Sequence, residues 1–452
     1  MQISFYGATG TVTGSKYLFD DGAAATLIDC GLFQGFKQLR LRNWQPLPFD
    51  PKRIASVVLT HAHIDHSGYL PLLVRNGFAG RVHCSKATKD LCAILLPDAA
   101  HLQEEEARYA NKRGFSKHKP ALPLFTMEDA ERALRQLHAV EFDEPVRLSE
   151  SSTARFLPAG HILGAAMVMI ESAGRHVLFS GDLGRPNDPV LRAPTTVTKA
   201  DVLVLESTYG NRRHTQVDPE EELGAHLSRA LGRGGVVVIP AFAVGRAQTL
   251  LHLIARLKAR GKFASVPIYL NSPMAVDATR IYHAYRSQHR LSVEECTAAC
   301  RVAEFVNTPE ASKALNSRQG PMVIISASGM ATGGRVVHHL KAFAPDPKNM
   351  ILFSGFQAGG TRGANMVGGA EFVRIHGKDI PIRAEVANLE ALSGHADYAE
   401  IIDWLKSFRQ APGNVFLTHG EPEAADQLRQ HIEKAFGWEC TVPDYKETVT
   451  IP

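Results

Sequence analysis

The 452-residue sequence contains few cysteines, and their arrangement excludes a disulfide-rich secreted domain. The six cysteines include no CxxC pair and no ladder of regular spacings. Cys296 and Cys300 are separated by one helical turn, and we expect them to pack as small hydrophobic side chains rather than to bind a metal. This pattern favours a reducing cytoplasm as the location of the protein.

Long hydrophobic runs are also missing. The apolar stretches 164–170 and 236–244 are much shorter than the roughly 20 residues that a membrane-spanning helix needs, so they are predicted to be core. Residues 1–6 lack the basic and apolar regions of a secretory signal and instead predict a first strand. We therefore expect no membrane partner.

The glycine-rich fingerprints GxxxxGK[ST] and GxGxxG do not occur, which argues against a nucleotide cofactor. A net charge of +4 is mildly basic and permits a polyanionic partner without requiring one. The chain is longer than a single core usually grows, so two domains are expected. A basic segment, residues 108–119, follows a predicted helix. It is equally well interpreted as a solvated helix end or as a contact for a phosphate backbone.

Four of the candidate functional residues lie in a short cluster after the apolar strand 54–59. The cluster contains His61, His63, Asp65 and His66, on the loop that leaves the C-terminal end of this strand, where open α/β sheets usually bind ligands. At a spacing of two residues, His61 and His63 point the same way from extended backbone. Asp65 and His66 follow, where a helix is predicted to begin near Ser67. Two pairs of donors facing two neighbouring points predict two metal sites.

Further donors lie at the ends of other predicted strands. They are Asp29, His161, Asp182, Glu206 and His419, and His395 lies in the segment Ser-Gly-His-Ala-Asp at 393–397. The tripeptide Leu-Thr-His occurs at residues 59–61 and again at 417–419, which predicts the same local geometry twice.

Seven of these groups form a plausible ligand set: His61, His63, Asp65, His66, His161, Asp182 and His419. Imidazole and carboxylate ligands without thiolates suit zinc, and manganese or iron would also be accepted. Seven groups are too many for one tetrahedral site but suit two sites if one carboxylate bridges them. Two metal ions about 3.5–4 Å apart are typical of phosphodiester hydrolysis, because they activate a water and neutralise charge on the phosphoryl oxygens.

The sequence pattern changes between residues 209 and 387, where predicted strands and helices alternate as in a doubly wound parallel sheet. Residues 326–335 form a glycine-rich loop after a strand, and residues 355–363 form a second such turn. Glycine-rich backbone at a helix N-terminus can bind an anion, although it often reflects only tight packing.

The spacing His61-x-His63-x-Asp65-His66, followed by His161 and Asp182, resembles the metallo-β-lactamase superfamily. Glu206, the segment around His395, and His419 resemble the additional motifs of its β-CASP branch. Within that branch the chain is similar to the endonucleases of pre-mRNA 3′-end cleavage and their compact prokaryotic ribonuclease relatives. The resemblance implies an α/β fold: an αββα sandwich from residues 1–208 and 388–452, with a parallel α/β β-CASP domain inserted as a cap at 209–387.

The resemblance also implies roles for the site residues. His61, His63 and His161 would hold one metal, Asp65, His66 and His419 the other, and Asp182 would bridge them. Asp29 would orient a ligand histidine, and His395 paired with Glu206 would act as general acid. Asp65 is counted among the catalytic residues as well as the ligands. The residues expected to bind RNA are Ser326, Ser328, Gly329, Gly333, Arg335 and Arg362.

We therefore expect a ribonuclease that cleaves single-stranded RNA with hydroxide activated by two zinc ions and leaves 5′-phosphate and 3′-hydroxyl ends. Endonucleolytic cleavage is favoured, and 5′-exonuclease activity and a homodimer are left open. The alternatives are a small-molecule ester or thioester hydrolase of the same fold, a DNA-directed nuclease, and a non-catalytic RNA-binding scaffold. A scaffold is disfavoured because all seven ligands are present.

Overall fold

The computed structural model describes residues 1–114 and 116–451, which fall into two compact units. The first unit comprises Met1–Asp188, Ala193–Arg213 and the residues from His395 onward, and the second comprises Pro189–Arg192 and His214–Gly394. The domain boundaries expected from the sequence, 208/209 and 387/388, remain a prediction, and the last residue of the expected third segment lies outside the described residues. Across the described ranges, no helix has the length and apolar character that a membrane span requires.

The elements up to Arg213 alternate strands with helices. The strands are β1 (Gln2–Phe5), β2 (Tyr17–Asp20), β3 (Ala25–Ile28), β4 (Ile54–Val58), β5 (Arg81–Ser85), β6 (Leu137–Val140), β7 (Pro145–Arg147), β8 (Ser152–Pro158), β9 (Ala166–Ser172), β10 (Arg175–Phe179) and β11 (Val202–Glu206). The helices are α1 (Lys37–Arg42), α2 (Ile64–Ser67), α3 (Leu70–Arg75), α4 (Lys86–Arg113) and α5 (Met127–Leu134).

The second unit and the C-terminal part complete the chain. The second unit contains strands β12 (Val236–Pro240), β13 (Ile268–Leu270), β14 (Glu304–Phe305), β15 (Met322–Ser326), β16 (Met350–Phe353), β17 (Phe372–Ile375), β18 (Lys378–Pro381) and β19 (Glu385–Asn388). Its helices are α6 (Pro219–Gly232), α7 (Arg246–Ala259), α8 (Pro273–Ala284), α9 (Val293–Arg301), α10 (Pro309–Leu315), α11 (Val336–Phe343) and α12 (Arg362–Val367). The first unit resumes with α13 (Tyr398–Leu405), β20 (Asn414–Thr418), α14 (Pro422–Phe436), β21 (Cys440–Thr441) and β22 (Thr448–Thr450).

The first unit is built on two mixed sheets. Within the described residues, one sheet has the order β22-β1-β2-β3-β4-β5-β6 and the other the order β21-β20-β11-β10-β9-β8-β7. Alternating residues of both sheets meet in one apolar core, in which Phe5 and Phe19 of the first sheet lie with Phe156 and Phe179 of the second. Because α4 packs on the first sheet and α14 on the second, the layers are αββα, as predicted.

The second unit is a parallel sheet with helices on both faces. Its strands follow the order β14-β13-β15-β12-β16-β19, and every pairing in this sheet is parallel. One core lies between the sheet and helices α6 to α9, and another lies on the face covered by α11 and α12. Strands β12, β13 and β16 are apolar and buried along their whole length because both of their faces are covered. The predicted doubly wound unit is confirmed.

One local prediction was wrong in position. The helix after the histidine cluster begins at Ile64, not near Ser67, and forms the single turn α2 before α3 starts at Leu70. His63 is its N-cap residue. Asp65 and His66 therefore lie on a helical turn, which separates them from the extended residues His61 and His63.

Candidate metal centre

The candidate ligands are brought to one edge of the first unit by neighbouring strands. His61 and His63 follow β4, His161 follows β8, Asp182 follows β10 and His419 follows β20. In the second sheet, β10, β11 and β20 are adjacent and parallel, so their C-terminal ends share an edge. This shared edge is why residues far apart in sequence converge on one site.

Main-chain hydrogen bonds hold the turn that carries Asp65 and His66. The N–H groups of Cys30 and Leu32 donate to the carbonyls of His66 and Ile64 at 2.7 and 2.9 Å. A Cβ on Gly31 would lie 1.5 Å from the carbonyl oxygen of Asp65, so only glycine fits between them. The loop after β3 therefore fixes the position of this helical turn.

The first donor group consists of three imidazoles and one carboxylate: His61, His63, His161 and Asp182. The Nδ1 atom of His63 lies 3.2 Å from Nε2 of His61 and 3.2 Å from Nε2 of His161. Oδ2 of Asp182 lies 3.4 Å from Nε2 of both His61 and His161.

These separations fit one tetrahedral metal ion. Zinc binds imidazole nitrogen at about 2.0–2.1 Å, so tetrahedral geometry places two nitrogen ligands about 3.3–3.4 Å apart. The separations of 3.2–3.4 Å in the first group match this value. Several nitrogens would otherwise face one another without enough protons to share, and a cation resolves that conflict.

The second donor group consists of Asp65, His66 and His419, all within 4.8 Å of one another. Nε2 of His66 lies 3.2 Å from Nε2 of His419, and Oδ2 of Asp65 lies 3.5 Å from the same His419 nitrogen. Oδ1 of Asp182 lies 3.2 Å from Nε2 of His66. The two oxygens of Asp182 thus face different groups, Oδ2 the first and Oδ1 the second, as a bridging carboxylate would.

Hydrogen bonds behind the second group fix the orientation of its rings. Oδ2 of Asp29 accepts a bond of 2.7 Å from Nδ1 of His66, which turns Nε2 towards the site. Thr60 donates its main-chain N–H and its hydroxyl to Asp29 at 2.7 and 2.9 Å. The Thr208 hydroxyl lies 3.0 Å from Nδ1 of His419. Partners of this kind orient a ligand histidine and select its tautomer.

Two of these residues have a backbone conformation that side chains rarely adopt. Asp29 has φ = 58° and His419 has φ = 50°, both in the left-handed region. Such conformations cost free energy and persist where the surroundings impose them, commonly at functional sites. Here, the main-chain N–H of His419 donates to the Ala8 carbonyl at 2.7 Å and the N–H of Asp29 to the Val58 carbonyl at 2.8 Å.

Burial and charge divide the histidines into two kinds. Burial lowers the pKa of His61 well below its ordinary value and that of His63 to about 4. For His66, burial acts in the same direction, but the carboxylates of Asp182 and Asp29 outweigh it and raise the pKa well above its ordinary value. His61 and His63 are therefore neutral, which is the form that binds a metal.

His395 lies beside the first group and is paired with Glu206. Its Nδ1 atom is 3.0 Å from Oε1 of Glu206, which is 1% exposed, and 4.0 Å from Oδ2 of Asp182. Burial lowers the pKa of His395, but Glu206 and Asp182 raise it to about 9. The ring is therefore protonated at neutral pH. Asp182, His395 and His419 also place donor atoms within 4.8 Å of one another, so His395 lies within reach of a metal as well.

The residues expected to bind RNA lie in the second unit, from the C-terminal ends of β15 and β16 to the start of the helices that follow. Ser326 is buried and donates to the Asn271 carbonyl at 2.9 Å, so its hydroxyl has a structural contact. Ser328 contacts Thr332 through their hydroxyls at 3.1 Å. A Cβ on Gly329 would lie 2.6 Å from the Phe242 ring, which requires glycine for packing, whereas one on Gly333 would meet nothing within 4 Å.

The two arginines of these loops bind protein carbonyls. Arg335 donates to the Val306 and Asn307 carbonyls at 2.8 and 2.6 Å. Arg362 donates to the Ala331 and Thr332 carbonyls at 3.0 and 2.7 Å. These guanidinium groups thus hold the glycine-rich loops in shape, a role that sequence reasoning did not assign. Sequence reasoning also missed Thr60 and Thr208 as hydrogen-bond partners of the ligand histidines and of Asp29.

The basic segment 108–119 contains the end of α4 and the loop that follows. Gly114 ends the helix in the left-handed conformation, with φ = 67°. Phe115, within this segment, lies outside the described residues. The basic side chains of residues 108–113 and 117–119 are exposed at the surface, and their role remains a prediction.

Three family models match successive parts of the chain. Residues 9–223 match the metallo-beta-lactamase superfamily, residues 247–366 match the Beta-Casp domain, and residues 379–443 match the Zn-dependent metallo-hydrolase RNA specificity domain. A ribonuclease of Thermus thermophilus, TTHA0252, is 40% identical over 433 residues, which cover 94% of each chain. The chain belongs to the β-CASP branch of the metallo-β-lactamase superfamily. The fold class and family expected from the sequence are thereby confirmed.

Other proteins show lower sequence identity to this chain. An RNase J-like protein of Methanocaldococcus jannaschii is 29% identical over 93% of this chain and 92% of its own length. The transcription termination factor FttA of Methanosarcina mazei is 29% identical over the whole of this chain and 72% of its own length. A solved structure from Enterococcus faecalis V583, titled as a protein of unknown function, shares the fold with a TM-score of 0.55 at 13% identity, covering 100% of this chain and 99% of its own. The superfamily fold binds divalent metal ions, and the two donor groups suit such ions.

Proposed function

We propose that this chain is a ribonuclease that hydrolyses phosphodiester bonds of single-stranded RNA with two zinc ions. Cleavage is endonucleolytic and leaves 5′-phosphate and 3′-hydroxyl ends. The observation that carries the proposal is the pair of donor groups that share Asp182, one oxygen facing each group. Two metals sharing a carboxylate suit in-line displacement at phosphorus, since both the attacking and the leaving oxygen need charge stabilisation.

The RNA part of the proposal rests on the comparisons. The relative with 40% identity is named a ribonuclease, and the C-terminal match is to an RNA specificity domain. The product ends follow from the proposed attack by water. If water attacks phosphorus and the 3′-oxygen leaves, the downstream fragment carries a 5′-phosphate and the upstream fragment ends in a 3′-hydroxyl.

The chain's own residues divide the work of the reaction. When bound, the two cations supply Lewis acidity, which lowers the pKa of the attacking water and neutralises charge on the phosphoryl oxygens. His61, His63 and His161 with Asp182 would hold one cation, and Asp65, His66 and His419 with Asp182 the other. Asp29 orients His66, and Thr208 orients His419.

His395 is proposed to protonate the leaving oxygen. The Glu206 carboxylate accepts the Nδ1 proton of His395, which leaves the Nε2 proton for donation. Glu206 is held in turn by the main-chain N–H of Leu183 at 2.6 Å. A general acid fixed in this way contributes about 10²–10⁴-fold to a rate.

A small-molecule ester or thioester hydrolase is the alternative class, because the match at residues 9–223 is to a superfamily and not to a substrate. Metal-loaded protein is assayed with labelled single-stranded RNA and, separately, with a thioester, each with and without a chelator. The proposal expects chelator-sensitive RNA cleavage. Turnover of the thioester while RNA stays intact would contradict it.

Asp29→Asn is expected to weaken metal binding without removing a ligand. Loss of the carboxylate behind a ligand histidine lowers metal affinity by about 10–100-fold, because the ring is no longer held in one orientation. Metal affinity is measured by competition with a chromophoric chelator. Asp403→Asn, a matched change at an exposed position on α13, is expected to keep wild-type affinity. Equal affinities for the two variants would show that Asp29 does not orient His66.

Arg335→Ala tests the predicted RNA contact in the second unit. If Arg335 neutralises a phosphate, RNA affinity falls and the slope of log affinity against log salt concentration decreases by about one. Binding is measured in chelator, so that RNA stays intact, and the melting temperature is recorded because the variant also loses two carbonyl contacts. The control is Arg280→Ala, which removes an exposed charge from α8. An unchanged salt slope would assign Arg335 to loop structure alone.

A further inference from the structure

A second kind of donor cluster lies in the second unit, between α8 and α9. Its members are His283, Cys296 and Cys300, whose ligand atoms all lie within 4.8 Å of one another. None of them belongs to the metal centre of the first unit. The chain has four other free cysteines, and none of them belongs to this cluster.

The helices explain why the three donors meet. Cys296 and Cys300 are four residues apart on α9 and therefore lie on the same face of that helix. His283 lies in the last turn of α8, which packs against α9. Its Nδ1 atom is 3.4 Å from Sγ of Cys296.

This distance matches two ligands of one metal ion. Zinc binds thiolate sulfur at about 2.3 Å and imidazole nitrogen at about 2.0–2.1 Å, so tetrahedral geometry separates them by about 3.5 Å. Two thiolates and one imidazole would leave a fourth position for water. Thiolates also distinguish this cluster chemically from the catalytic groups, which offer only nitrogen and oxygen.

Charge balance favours a divalent ion at this position. Cys296 is buried and Cys300 is half-buried, so a charged complex would be costly here. Binding of a divalent ion releases two protons and forms a complex of net charge zero with the neutral imidazole. A neutral complex can lie at a half-buried position without an uncompensated charge.

We propose that His283, Cys296 and Cys300 form a separate mononuclear zinc site that joins α8 to α9. It would give the chain a third metal ion, independent of the two at the catalytic centre. The two cysteines would then act as ligands, in place of the packing role expected from their spacing.

Cobalt substitution separates this site from the catalytic centre. A thiolate bound to Co²⁺ produces a charge-transfer band in the near ultraviolet, which imidazole and carboxylate ligands do not. Metal-free full-length protein is titrated with Co²⁺ and then with Zn²⁺. The expected result is a thiolate band that saturates at one equivalent per chain, disappears on addition of Zn²⁺, and accompanies a total of three bound ions.

Variants assign the band to these residues. Cys296→Ser and His283→Ala are expected to remove or strongly weaken it, whereas Cys440→Ser, a matched change at a cysteine on β21, is expected to retain it. His161→Ala, which disrupts a catalytic ligand, is expected to keep the band while total bound metal falls. Circular dichroism confirms that each variant is folded.

Alkylation provides a readout that does not depend on colour. Zinc should protect Cys296 and Cys300 from iodoacetamide, as measured by mass spectrometry of the digested protein, and protection should be absent in His283→Ala. The proposal is overturned if wild-type protein shows no thiolate band, or if the band survives in the Cys296→Ser, Cys300→Ser double variant. It is also overturned if zinc leaves the alkylation of both cysteines unchanged.

Discussion

Asp182→Ala is expected to lower RNA cleavage by on the order of 10⁴-fold or more, because activation of water and stabilisation of the phosphoryl oxygens both depend on the metals. Asp182 is 2% exposed and faces both donor groups, with Oδ2 3.4 Å from His61 and Oδ1 3.2 Å from His66. Removing it should therefore weaken both sites together.

The measurement combines single-turnover cleavage with elemental analysis of the same preparation. Bound metal at the catalytic centre should fall below two ions per chain. Asp182→Asn should behave in the same way, since the amide keeps the shape but loses the negative charge that both cations share. Asp403→Asn controls for a carboxylate-to-amide change at an exposed position. An Asp182→Ala protein that keeps both ions and near-normal cleavage would show that this carboxylate does not bridge.

His395→Ala is expected to lower cleavage by about 10²–10⁴-fold, the usual contribution of a general acid. The loss should occur with both catalytic metals still bound, because the two donor groups are complete without His395. Its Nδ1 proton is engaged by Glu206, so the ring is positioned to donate from Nε2.

Metal content distinguishes this role from ligation. If His395→Ala loses a catalytic ion, His395 is a ligand, a role that its 4.0 Å approach to Asp182 makes geometrically accessible. His101→Ala, an exposed histidine on α4, is the matched control and should retain cleavage. Glu206→Gln combined with His395→Ala should be no slower than His395→Ala alone, because groups that act as a unit have non-additive effects. Fully additive losses of cleavage rate would show that Glu206 and His395 act independently.

Many of the strands could be predicted because their sequence signals were local. The apolar stretch before His61 and the β-branched runs of the second unit are explained by burial on one or both faces. The predicted start of α2 was wrong because contacts distant in sequence set its position. The N–H groups of Cys30 and Leu32 donate to the carbonyls of His66 and Ile64, and Gly31 leaves room for the close approach of Asp65. Sequence periodicity carries no information about such a contact.

The candidate ligands could be located from the sequence because each follows a strand or lies in the dense cluster after β4. Their division into two groups depends on which nitrogen of each ring faces which neighbour, and this is settled by Asp29 and Thr208 from other strands. Thr60, directly before His61, was the available signal for a supporting hydroxyl. The repeated tripeptide gave no such signal for His419, because the Thr418 hydroxyl accepts from Tyr17 and the hydroxyl beside His419 is that of Thr208.

The loops of the second unit were the least predictable part. A glycine-rich segment with an arginine is compatible with phosphate binding and with a loop that the arginine itself stabilises. The contacts of Arg335 with the Val306 and Asn307 carbonyls supply the second explanation, which required knowledge of β14 and the following residues. The clustering of His283 with Cys296 likewise depends on the packing of α8 on α9, which spacing along one helix cannot reveal.

End-group analysis of the cleavage products tests the central claim most directly. Metal-loaded protein is incubated with single-stranded RNA and with DNA of matched sequence, and the product ends are identified by mass spectrometry. The proposed ribonuclease should cut RNA internally, leave 5′-phosphate and 3′-hydroxyl ends, and spare DNA. RNA products ending in 2′,3′-cyclic phosphate would show attack by the 2′-hydroxyl instead of water, and equal cleavage of DNA would contradict the assignment to RNA.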